Sequence, residues 1–378
     1  MRILLVPALY APHYGGLETV VREIAGHMKL AKHSVEIVTN RHPRRLPHLE
    51  LIEGIPVTRL FFLYPRFSYL RSGRWDLWLG GMVFFPLTLL QLLFLILRFR
   101  PDVVNMHYLG SAGFFLWLLR PLLRYRLVVS LHGGDVDGEP HKNRFNRWLF
   151  KSVLASADGV TACSQVLLNQ ALALEPTIVH KSQVIHNGVD ANLFATAQPY
   201  SHPIPYLFGA GKLEHHKGFD ILISAFAQVA TLIPEVDLLI AGDGHEITAL
   251  QTQVRDAGLE GHVKLLGRRN REQVASLMRG ARLIVIPSRR EPFGIVGLEA
   301  MASGRPIVVT SVGGLTEALE NAEATWIESD DPDSLAVTLT TLFQSNEEHI
   351  PDLVENQSKA LARSWKMVAR EYLSIFEN

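Results

Sequence analysis

Short apolar runs alternate with stretches of helical periodicity along this chain, and the alternation restarts after residue 200. Strands that alternate with helices predict a parallel sheet covered by helices on both faces. Two successive series predict two such domains, which a length of 378 residues allows. The runs that we predict as buried strands are residues 3–6, 35–39, 103–107, 127–132, 159–163, 206–210, 237–241, 262–266, 282–287 and 306–309.

A proline-rich segment, residues 195–205, separates the two series and has the composition of a linker. We therefore expect an α/β chain with domains at residues 1–198 and 199–364. In open parallel sheets, ligands bind beyond the carboxyl ends of the strands. With two such domains facing one another, the interdomain cleft is the expected active site.

The two halves of the chain differ in charge although the whole is neutral. Residues 1–200 carry 21 Lys and Arg against 13 Asp and Glu, whereas residues 201–378 carry 16 against 24. The excess of positive charge in the first half indicates an anionic partner, for which phosphorylated lipid and a membrane surface are candidates. The alternative is an uneven distribution of surface charge. Nucleic acid is not an expected partner.

Cys163 is the single cysteine, so an internal disulfide and a cysteine-rich metal site are excluded. A chain with one cysteine fits a reducing compartment. The apolar run at residues 3–6 is short and reaches Pro12 without the small-residue cleavage pattern of a signal peptide, so it favours a first β-strand. We expect a cytoplasmic protein.

Residues 80–97 form an uncharged apolar segment, which is followed by Arg98 and Arg100 and preceded by the basic, aromatic stretch 66–78. Its length is close to the roughly 20 residues of a spanning helix. Pro86 shortens its uninterrupted part, and a span would separate strands of one sheet, so we reject a transmembrane helix. Two alternatives remain: a helix buried against the sheet, or a surface that lies on anionic lipid. A second apolar patch, 113–119, favours the surface.

Two carboxylates, Glu291 and Glu299, lie eight residues apart around a predicted strand-to-helix turn. Carboxylates accept hydrogen bonds from vicinal hydroxyls, such as those of sugars. Between them, Phe293, Gly294 and Ile295 offer backbone N–H groups at a helix N-terminus, where anionic groups bind.

Cations and glycines occupy other predicted strand-to-helix turns. Lys212 and Lys217, which follow Gly211, are candidates to neutralise a diphosphate leaving group. Gly15 and Gly16 precede the first helix, where backbone N–H groups approach a phosphate.

Three further turns carry candidate ligand contacts. His132 stands at the carboxyl end of a strand, where cleft residues belong, and Asp135 follows it as a candidate to polarise an acceptor hydroxyl. The remaining candidates follow the second and third strands of the second series: Gly242, Gly244 and Arg268.

Together these turns resemble the motifs of retaining GT-B glycosyltransferases of family 4, also called glycosyl transferases group 1. The resemblance covers almost the whole chain, and Glu291 with Glu299, as an E-x7-E signature, is its most specific part. It implies the GT-B fold, with two Rossmann-like domains on an interdomain cleft. It also implies that the final helix, within 365–378, packs back on the first domain.

The resemblance also assigns roles. Glu291 would bind the donor sugar and Glu299 the ribose of its nucleotide, while His132 would approach the C6 hydroxyl of the sugar. Lys212 stands where the family usually has arginine, so it keeps the charge but loses the bidentate fork. The other expected contacts, with the diphosphate, the acceptor and the nucleotide, fall to Gly15, Gly16, Gly211, Lys217, Gly242, Gly244 and Arg268.

The implied reaction is retaining transfer of a sugar from a nucleotide diphosphate sugar to an acceptor hydroxyl, without cofactor or metal ion. The charge of the first half favours a lipid or lipid-linked glycan as acceptor, at the inner face of the cytoplasmic membrane. The alternatives are a soluble small-molecule acceptor, a nucleotide-sugar epimerase or hydrolase of the same architecture, and a non-catalytic membrane-associated binding protein.

Overall fold

The computed structural model describes residues 1–13, 15–66, 69–70, 72–344 and 353–377. Tyr14 of the first glycine turn and Arg71 of the basic aromatic stretch therefore lie outside the described residues. The chain divides into two compact units, which are Met1–His186 with Trp365–Asn378, and Asn187–Ser364. The division falls before the boundary at 198/199 that the prolines suggested, because the helix Ala191–Thr196 packs on helices of the second unit.

The first unit alternates strands and helices from its first residues. Its elements are β1 (Arg2–Pro7), α1 (Gly16–Leu30), β2 (Ser34–Asn40), β3 (Leu49–Ile52), β4 (Ile55–Leu60), α2 (Trp75–Phe99), β5 (Val103–His107), α3 (Ala112–Leu119), β6 (Arg126–Leu131), α4 (Gly134–Asp137), α5 (Arg144–Ser156), β7 (Gly159–Ala162), α6 (Gln165–Leu174) and β8 (Ser182–Val184).

Its sheet has the order β3-β4-β2-β1-β5-β6-β7-β8, in which only β3 runs antiparallel to its neighbour. The chain moves from β1 to one side and returns to place β5 on the other side of β1. The reversal leaves a crevice beyond the carboxyl ends of β1 and β5, which is where such sheets bind ligands.

The second unit repeats this plan. Its elements are α7 (Ala191–Thr196), β9 (Tyr206–Ala210), α8 (Phe219–Leu232), β10 (Asp237–Ala241), α9 (Ile247–Asp256), β11 (Val263–Gly267), α10 (Arg271–Gly280), β12 (Leu283–Ile286), α11 (Ile295–Ser303), β13 (Ile307–Thr310), α12 (Leu315–Ala318), β14 (Thr325–Ile327), α13 (Pro332–Gln344) and α14 (Leu353–Ala362).

All six strands of the second unit are parallel, in the order β11-β10-β9-β12-β13-β14. The chain again starts at a central strand, β9, and reverses so that β12 lies beside it. The predicted fold class, two Rossmann-like parallel-sheet domains, is confirmed.

The last helix, α15 (Trp365–Glu377), belongs to the first unit and contacts α1. Right-handed crossovers place α1 on one face of the sheet and α2, α3 and α5 on the other. The side chains agree, since Met106 lies near α3 while its neighbour His107 lies 5.6 Å, ring to ring, from Tyr372 of α15.

Helix α2 corresponds to the apolar segment of the sequence and is longer than that segment. Its inner face is buried: a Cβ on Gly81 would lie 2.6 Å from the backbone nitrogen of Pro65, and Leu92 is 0% exposed. Its outer face is an exposed apolar stripe at helical spacing. The stripe consists of Leu79, Met82, Val83, Leu87, Leu90, Phe94 and Leu97.

By length and composition α2 could cross a membrane, and 28% of its most apolar stretch is buried. The strands on either side of it in the chain, β4 and β5, belong to one sheet. One face of the helix is therefore in the core, as the first alternative predicted, and the other face is exposed.

Candidate active site

The crevice of the second unit lies where β9 and β12 end side by side. Lys212 and Lys217 follow β9, and Glu291 follows β12. These strands are neighbours in the sheet although two strands separate them in the sequence. The fold thus brings together the lysine turn and the first glutamate of the E-x7-E signature.

Lys217 and Glu291 form an ion pair, in which Nζ of the lysine donates to Oε2 of the glutamate. Both side chains are largely buried, at 18% and 9% exposed. The hydroxyl of Ser288 lies 3.5 Å from the same carboxylate oxygen, and the backbone carbonyl of Glu291 accepts from Gly314 N at 2.8 Å. The carboxylate is therefore fixed in orientation at the crevice.

Lys212 differs from Lys217 in its surroundings. Its side chain is exposed and has no ion-pair partner among the residues that the structure describes. The turn therefore offers an unpaired ammonium, that of Lys212, beside the paired one of Lys217. That charge suits a diphosphate group.

Close backbone contacts hold the turns after β9, β10 and β12 together. Gly218 has φ +69°, and a Cβ there would lie 1.9 Å from the carbonyl oxygen of Pro287. A Cβ on Gly242 would lie 1.8 Å from the carbonyl oxygen of Gly211. Any larger residue at either position would push the turns apart.

The turn after β10 is also tied to the lysine turn by hydrogen bonds. Leu213 N donates to Asp243 O at 2.8 Å, and Glu246 N donates to Leu213 O at 3.0 Å. Gly244 is pressed against the backbone of Leu213 in the same contact. The predicted Gly242 and Gly244 therefore shape the crevice by close approach of the backbone.

Helix α11 begins at the crevice, directly after Gly294, which has φ +89°. The backbone N–H groups of Gly294 and Ile295 have no acceptor within the described residues, as expected at a helix N-terminus. The Phe293 side chain is 3% exposed, so this residue contributes packing and backbone only.

Glu299 lies about one turn into α11 and is partly exposed. Burial of its carboxyl raises its pKa to about 7, although Arg271 acts in the opposite direction. A carboxyl that titrates near neutral pH sits in a poorly hydrated place, where a hydroxyl ligand would replace water as hydrogen-bond donor.

Arg289 connects the glutamate turn to the lysine turn, although no sequence motif singles it out. Its guanidinium donates to both carboxylate oxygens of Asp220 at 2.7 Å, to His215 O at 2.7 Å, and to Asp330. Its backbone N–H donates to His216 O at 2.8 Å. These contacts set the position of the turn that carries Lys217.

Arg268 follows β11 and is exposed, next to Gly267 with φ +67°. It lies at the same edge of the sheet as the other turns, at the end of the edge strand.

In the first unit, Gly15 precedes α1 with an extended backbone, φ −178°, which any residue can adopt. Gly16 is the first helical residue and is exposed to solvent. The glycine turn therefore lies at the carboxyl end of β1, as predicted, and its glycines leave space rather than satisfy an unusual backbone.

His132 pairs with His107, a residue that sequence reasoning had placed in a strand without a role. Nδ1 of His107 lies 3.0 Å from Nε2 of His132, with the rings stacked at 5.2 Å. Burial lowers the pKa of His132 to about 4 and that of His107 well below its ordinary value. Both rings are therefore neutral at pH 7.

The proton positions follow from burial. Nε2 of His107 is buried and has no hydrogen-bond partner among the described residues. A buried N–H without an acceptor is rare, so we assign the hydrogen of this ring to Nδ1, from which it donates to Nε2 of His132. His132 then carries its own hydrogen on Nδ1, where it can donate to a ligand oxygen.

Asp135 does not fit the predicted role in polarising an acceptor hydroxyl. Its side chain is 0% exposed and accepts hydrogen bonds from the backbone N–H groups of Leu109, His132 and Gly133 at 2.8–3.4 Å. Burial raises its pKa to about 6. The carboxyl fixes the backbone at the ends of β5 and β6, and so positions His132.

Two Asp-x-Asp spacings, a pattern that can hold a metal ion, occur in the sequence at 135–137 and 331–333. Asp135 is enclosed by backbone, Asp331 accepts from Ser334 N at 2.9 Å, and Asp333 accepts from Gln228. Within the described ranges, no three His, Cys, Asp or Glu side chains are grouped to hold a metal ion.

Comparison with known proteins agrees with this geometry. Family models match two parts of the chain, Glycosyltransferase Family 4 at residues 14–193 and Glycosyl transferases group 1 at 200–360. A glycosyltransferase of Methanocaldococcus jannaschii, itself uncharacterized, is 30% identical over 280 residues, which are 73% of this chain and 75% of that protein. The chain is a GT-B glycosyltransferase of family 4.

Other relatives of this glycosyltransferase extend over more of its length. Glycogen synthase of Mycobacterium tuberculosis is 28% identical over 340 residues, covering 85% of this chain and 81% of that enzyme. The solved structure of Anabaena HepE in complex with UDP-glucose has a TM-score of 0.76 at 22% identity, covering 99% of this chain and 100% of that one. This structural likeness concerns the fold.

The sequence-predicted residues of this glycosyltransferase thus form two groups, one in each unit. In the second unit the structure brings most of them to one edge of the sheet: Lys212, Lys217, Gly211, Gly242, Gly244, Glu291, Gly294 and Ile295. In the first unit, Gly15, Gly16 and His132 follow strands β1 and β6, whereas the buried Asp135 is bound to backbone N–H groups.

Proposed function

We propose that this glycosyltransferase moves a sugar from a nucleotide diphosphate sugar to an acceptor hydroxyl with retention and without a metal ion. The observation that carries the proposal is the ion pair of Lys217 with Glu291 beside the unpaired Lys212. This arrangement offers a fixed carboxylate for sugar hydroxyls and a cation for a departing diphosphate.

A nucleotide sugar as donor is supported by the crevice itself. The ammonium of Lys212 and the open N–H groups at the start of α11 suit phosphate oxygens. Glu299 would accept hydrogen bonds from ribose hydroxyls, eight residues after the carboxylate that would bind the sugar. The solved complex of HepE with UDP-glucose supports the same class of donor by similarity of fold.

The step breaks the bond between the anomeric carbon and the β-phosphate oxygen and forms a bond from that carbon to the acceptor oxygen. The acceptor proton goes to the departing phosphate oxygen on the same face of the sugar, which retains the anomeric configuration. The lysines stabilise the charge that develops on the phosphate. Glu291 is engaged by Lys217, so it acts as a hydroxyl ligand rather than as a nucleophile.

A screen of nucleotide sugars by thermal shift would identify the donor, because binding raises the unfolding temperature by mass action. Product formed in EDTA from that donor would then be analysed by NMR. Retained anomeric configuration at an undiminished rate is the expected result. Inversion, or loss of activity restored by Mg²⁺, would contradict the proposal, and donor turnover that no acceptor accelerates would identify a hydrolase or epimerase.

We propose further that the acceptor is a lipid or a lipid-linked glycan, reached at the inner face of the cytoplasmic membrane. The exposed stripe of α2 supports this, since contiguous apolar surface of this kind marks an interaction site. Such a stripe suits the headgroup region of a bilayer, where an amphipathic helix buries its apolar face.

Vesicle flotation tests this membrane contact. Leu90→Asp in the stripe should abolish flotation with anionic vesicles, because it places a charge on the face that would enter the bilayer. Leu232→Asp is a matched control, since Leu232 is 64% exposed and Leu90 is 62% exposed. Wild-type protein that stays out of the lipid fraction would instead favour a soluble acceptor.

A further inference from the structure

We propose that a groove at the amino-terminal edge of the first sheet binds the phosphate headgroup of an anionic phospholipid. This inference rests on the proposed membrane contact of α2 and adds a defined headgroup site to it. The groove has a volume of about 600 Å³ and is lined by Arg2, Leu97, Arg100, Asp102, Leu123 and Arg124. It lies where α2 ends and where β1, β5 and β6 begin.

Two arginines of the groove, Arg100 and Arg124, are available to bind an anion. Asp102 is already paired with Arg2, whose backbone N–H donates at 2.6 Å and whose guanidinium lies at 3.4 Å. Arg100 and Arg124 are exposed and have no acidic partner within the described parts of the chain. Two free guanidinium groups in one groove match the oxygens of a phosphate.

Arg100 is held at the groove by the end of α2. It adopts a left-handed backbone, φ 51°, and its N–H closes the last helical turn on Ile96 O at 2.7 Å. This backbone conformation favours glycine over residues with a side chain. The chain nevertheless has an arginine here, which places a positive charge at the groove.

Apolar side chains surround the rim of the groove. Phe94 and Leu97 of α2 are 69% and 54% exposed, and Leu122, next to the lining residue Leu123, is 74% exposed. A free phosphate ion would make no use of this rim. A phospholipid would place its headgroup on the arginines and its acyl chains along the apolar residues, so we commit to the lipid.

The orientation of α2 supports this occupant. The helix connects the carboxyl end of β4 to the amino end of β5, so its stripe runs from the ligand-binding edge of the sheet down to the groove. Its 25 residues extend for about 37 Å. A bilayer that receives the stripe would therefore meet the groove at the same depth, with the arginines at headgroup level.

The test uses sedimentation of the full chain with vesicles of phosphatidylcholine, with and without phosphatidylglycerol. The double variant Arg100→Gln/Arg124→Gln should bind the anionic vesicles roughly 10- to 30-fold more weakly, at about 1 kcal/mol for each charge. Lys366→Gln/Arg370→Gln removes the same charge from exposed positions on α15, on the opposite face of the sheet, and should change binding by less than about threefold.

A second arm separates lipid from free phosphate. Dihexanoyl phosphatidylglycerol, a soluble phospholipid, should displace the protein from anionic vesicles and bind the groove in a titration followed by NMR or calorimetry. Inorganic phosphate at equal concentration should do neither. Equal competition by inorganic phosphate would overturn the lipid assignment and identify a phosphate site.

The failures of the two proposals can be told apart. Wild-type protein that binds neither kind of vesicle would contradict the membrane contact itself. A different result would overturn the groove alone. In it, Leu90→Asp abolishes binding, but the groove variant and the α15 variant weaken binding equally. Donor hydrolysis should be unchanged in the groove variant, since the groove lies at the edge opposite His107 and His132, and this measurement confirms that the variant is folded.

Discussion

Lys217 donates to Glu291 across two turns that are 74 residues apart in sequence and that follow neighbouring strands of one sheet. Each residue alone is an ordinary surface type. At the crevice they form an ion pair, which fixes the orientation of the Glu291 carboxylate and partly neutralises the Lys217 ammonium. The unpaired Lys212 then supplies the remaining positive charge of the site.

Replacement of Glu291 by alanine should lower the rate of transfer at least about 100-fold, because hydrogen bonds to reacting sugars are worth several kcal/mol in the transition state. Binding of the nucleotide diphosphate should change by less than about threefold, since Glu291 is assigned to the sugar. Steady-state kinetics and calorimetry measure the two effects. Glu320→Ala, at an exposed position on the same unit, is the control, and an equal loss of nucleotide affinity would contradict the assignment.

Replacement of Arg289 by alanine should lower the free energy of unfolding by about 2 kcal/mol, because charged hydrogen bonds to Asp220 are lost. It should also lower kcat about tenfold with a smaller change in KM, since the turn carrying Lys217 loses its anchor. Chemical denaturation and kinetics at a temperature where the variant stays folded separate these effects.

Arg289→Lys provides the second measurement for this residue. It keeps the charge but not the fork that holds both oxygens of Asp220, so kcat should fall by an intermediate amount. A variant that loses stability but keeps full kcat would show that Arg289 only stabilises the fold.

His107 should act on catalysis through His132. His107→Phe removes the donor to Nε2 of His132 and should free that ring to change tautomer, which lowers kcat about tenfold. His107→Asn places an amide nitrogen near the position of Nδ1 and should restore most of the activity. Nitrogen NMR of His132 reports its tautomer directly, and equal loss in both variants without a change of tautomer would contradict this role.

The carboxyl of Glu299 should make stability depend on pH. Its pKa is about 7 in the folded protein against an ordinary value of 4.5, so the folded state binds more protons between these values. The free energy of unfolding therefore decreases as pH rises through this window. Glu299→Gln should match the wild type near pH 4.5 and exceed it by up to about 2 kcal/mol above pH 7, less than the full shift because the group is partly exposed.

Denaturation with urea at several pH values measures this difference. Glu320→Gln removes a carboxyl from an exposed position and serves as the control. A difference between Glu299→Gln and the wild type that is constant from pH 4.5 to 8 would show that the carboxyl does not titrate near neutral pH.

The strands that carry the site could be predicted because buried parallel strands are short, continuous apolar runs. The turns after them could be predicted because phosphate and sugar ligands require glycines, cations and carboxylates there. The hairpin β3–β4 could not, since β3 is an exposed edge strand and β4 contains Arg59, which is 1% exposed. Arg59 is buried because it pairs with Glu50 at 2.7 Å and donates to Ala11 O at 2.7 Å, contacts that only the folded sheet creates.

The residues that support the site were missed for a related reason. Arg289 sits in an Arg-Arg pair that reads as surface charge, and His107 ends an apolar strand without a flanking motif. The prediction for Asp135 was wrong in the opposite way, because it assigned a catalytic role to a carboxyl that only holds the backbone in place. Its position in a turn resembled that of a catalytic carboxyl. In each case the partner is distant in sequence or is a backbone group, so residue type and spacing gave no signal.

Helix α15 is synthesised after the entire second unit, yet it completes the first. The ring of Tyr372 lies 5.6 Å from that of His107 at the end of β5, and Ile375 lies 3.4 Å from where a Cβ on Gly159 of β7 would stand, so the absence of α15 would uncover this part of the sheet. During translation the part of this face that α15 covers, beside α1, therefore stays open until the second unit has been synthesised. A ribosome that stalls within the second unit would release a chain with an exposed apolar face, which chaperones and proteases recognise.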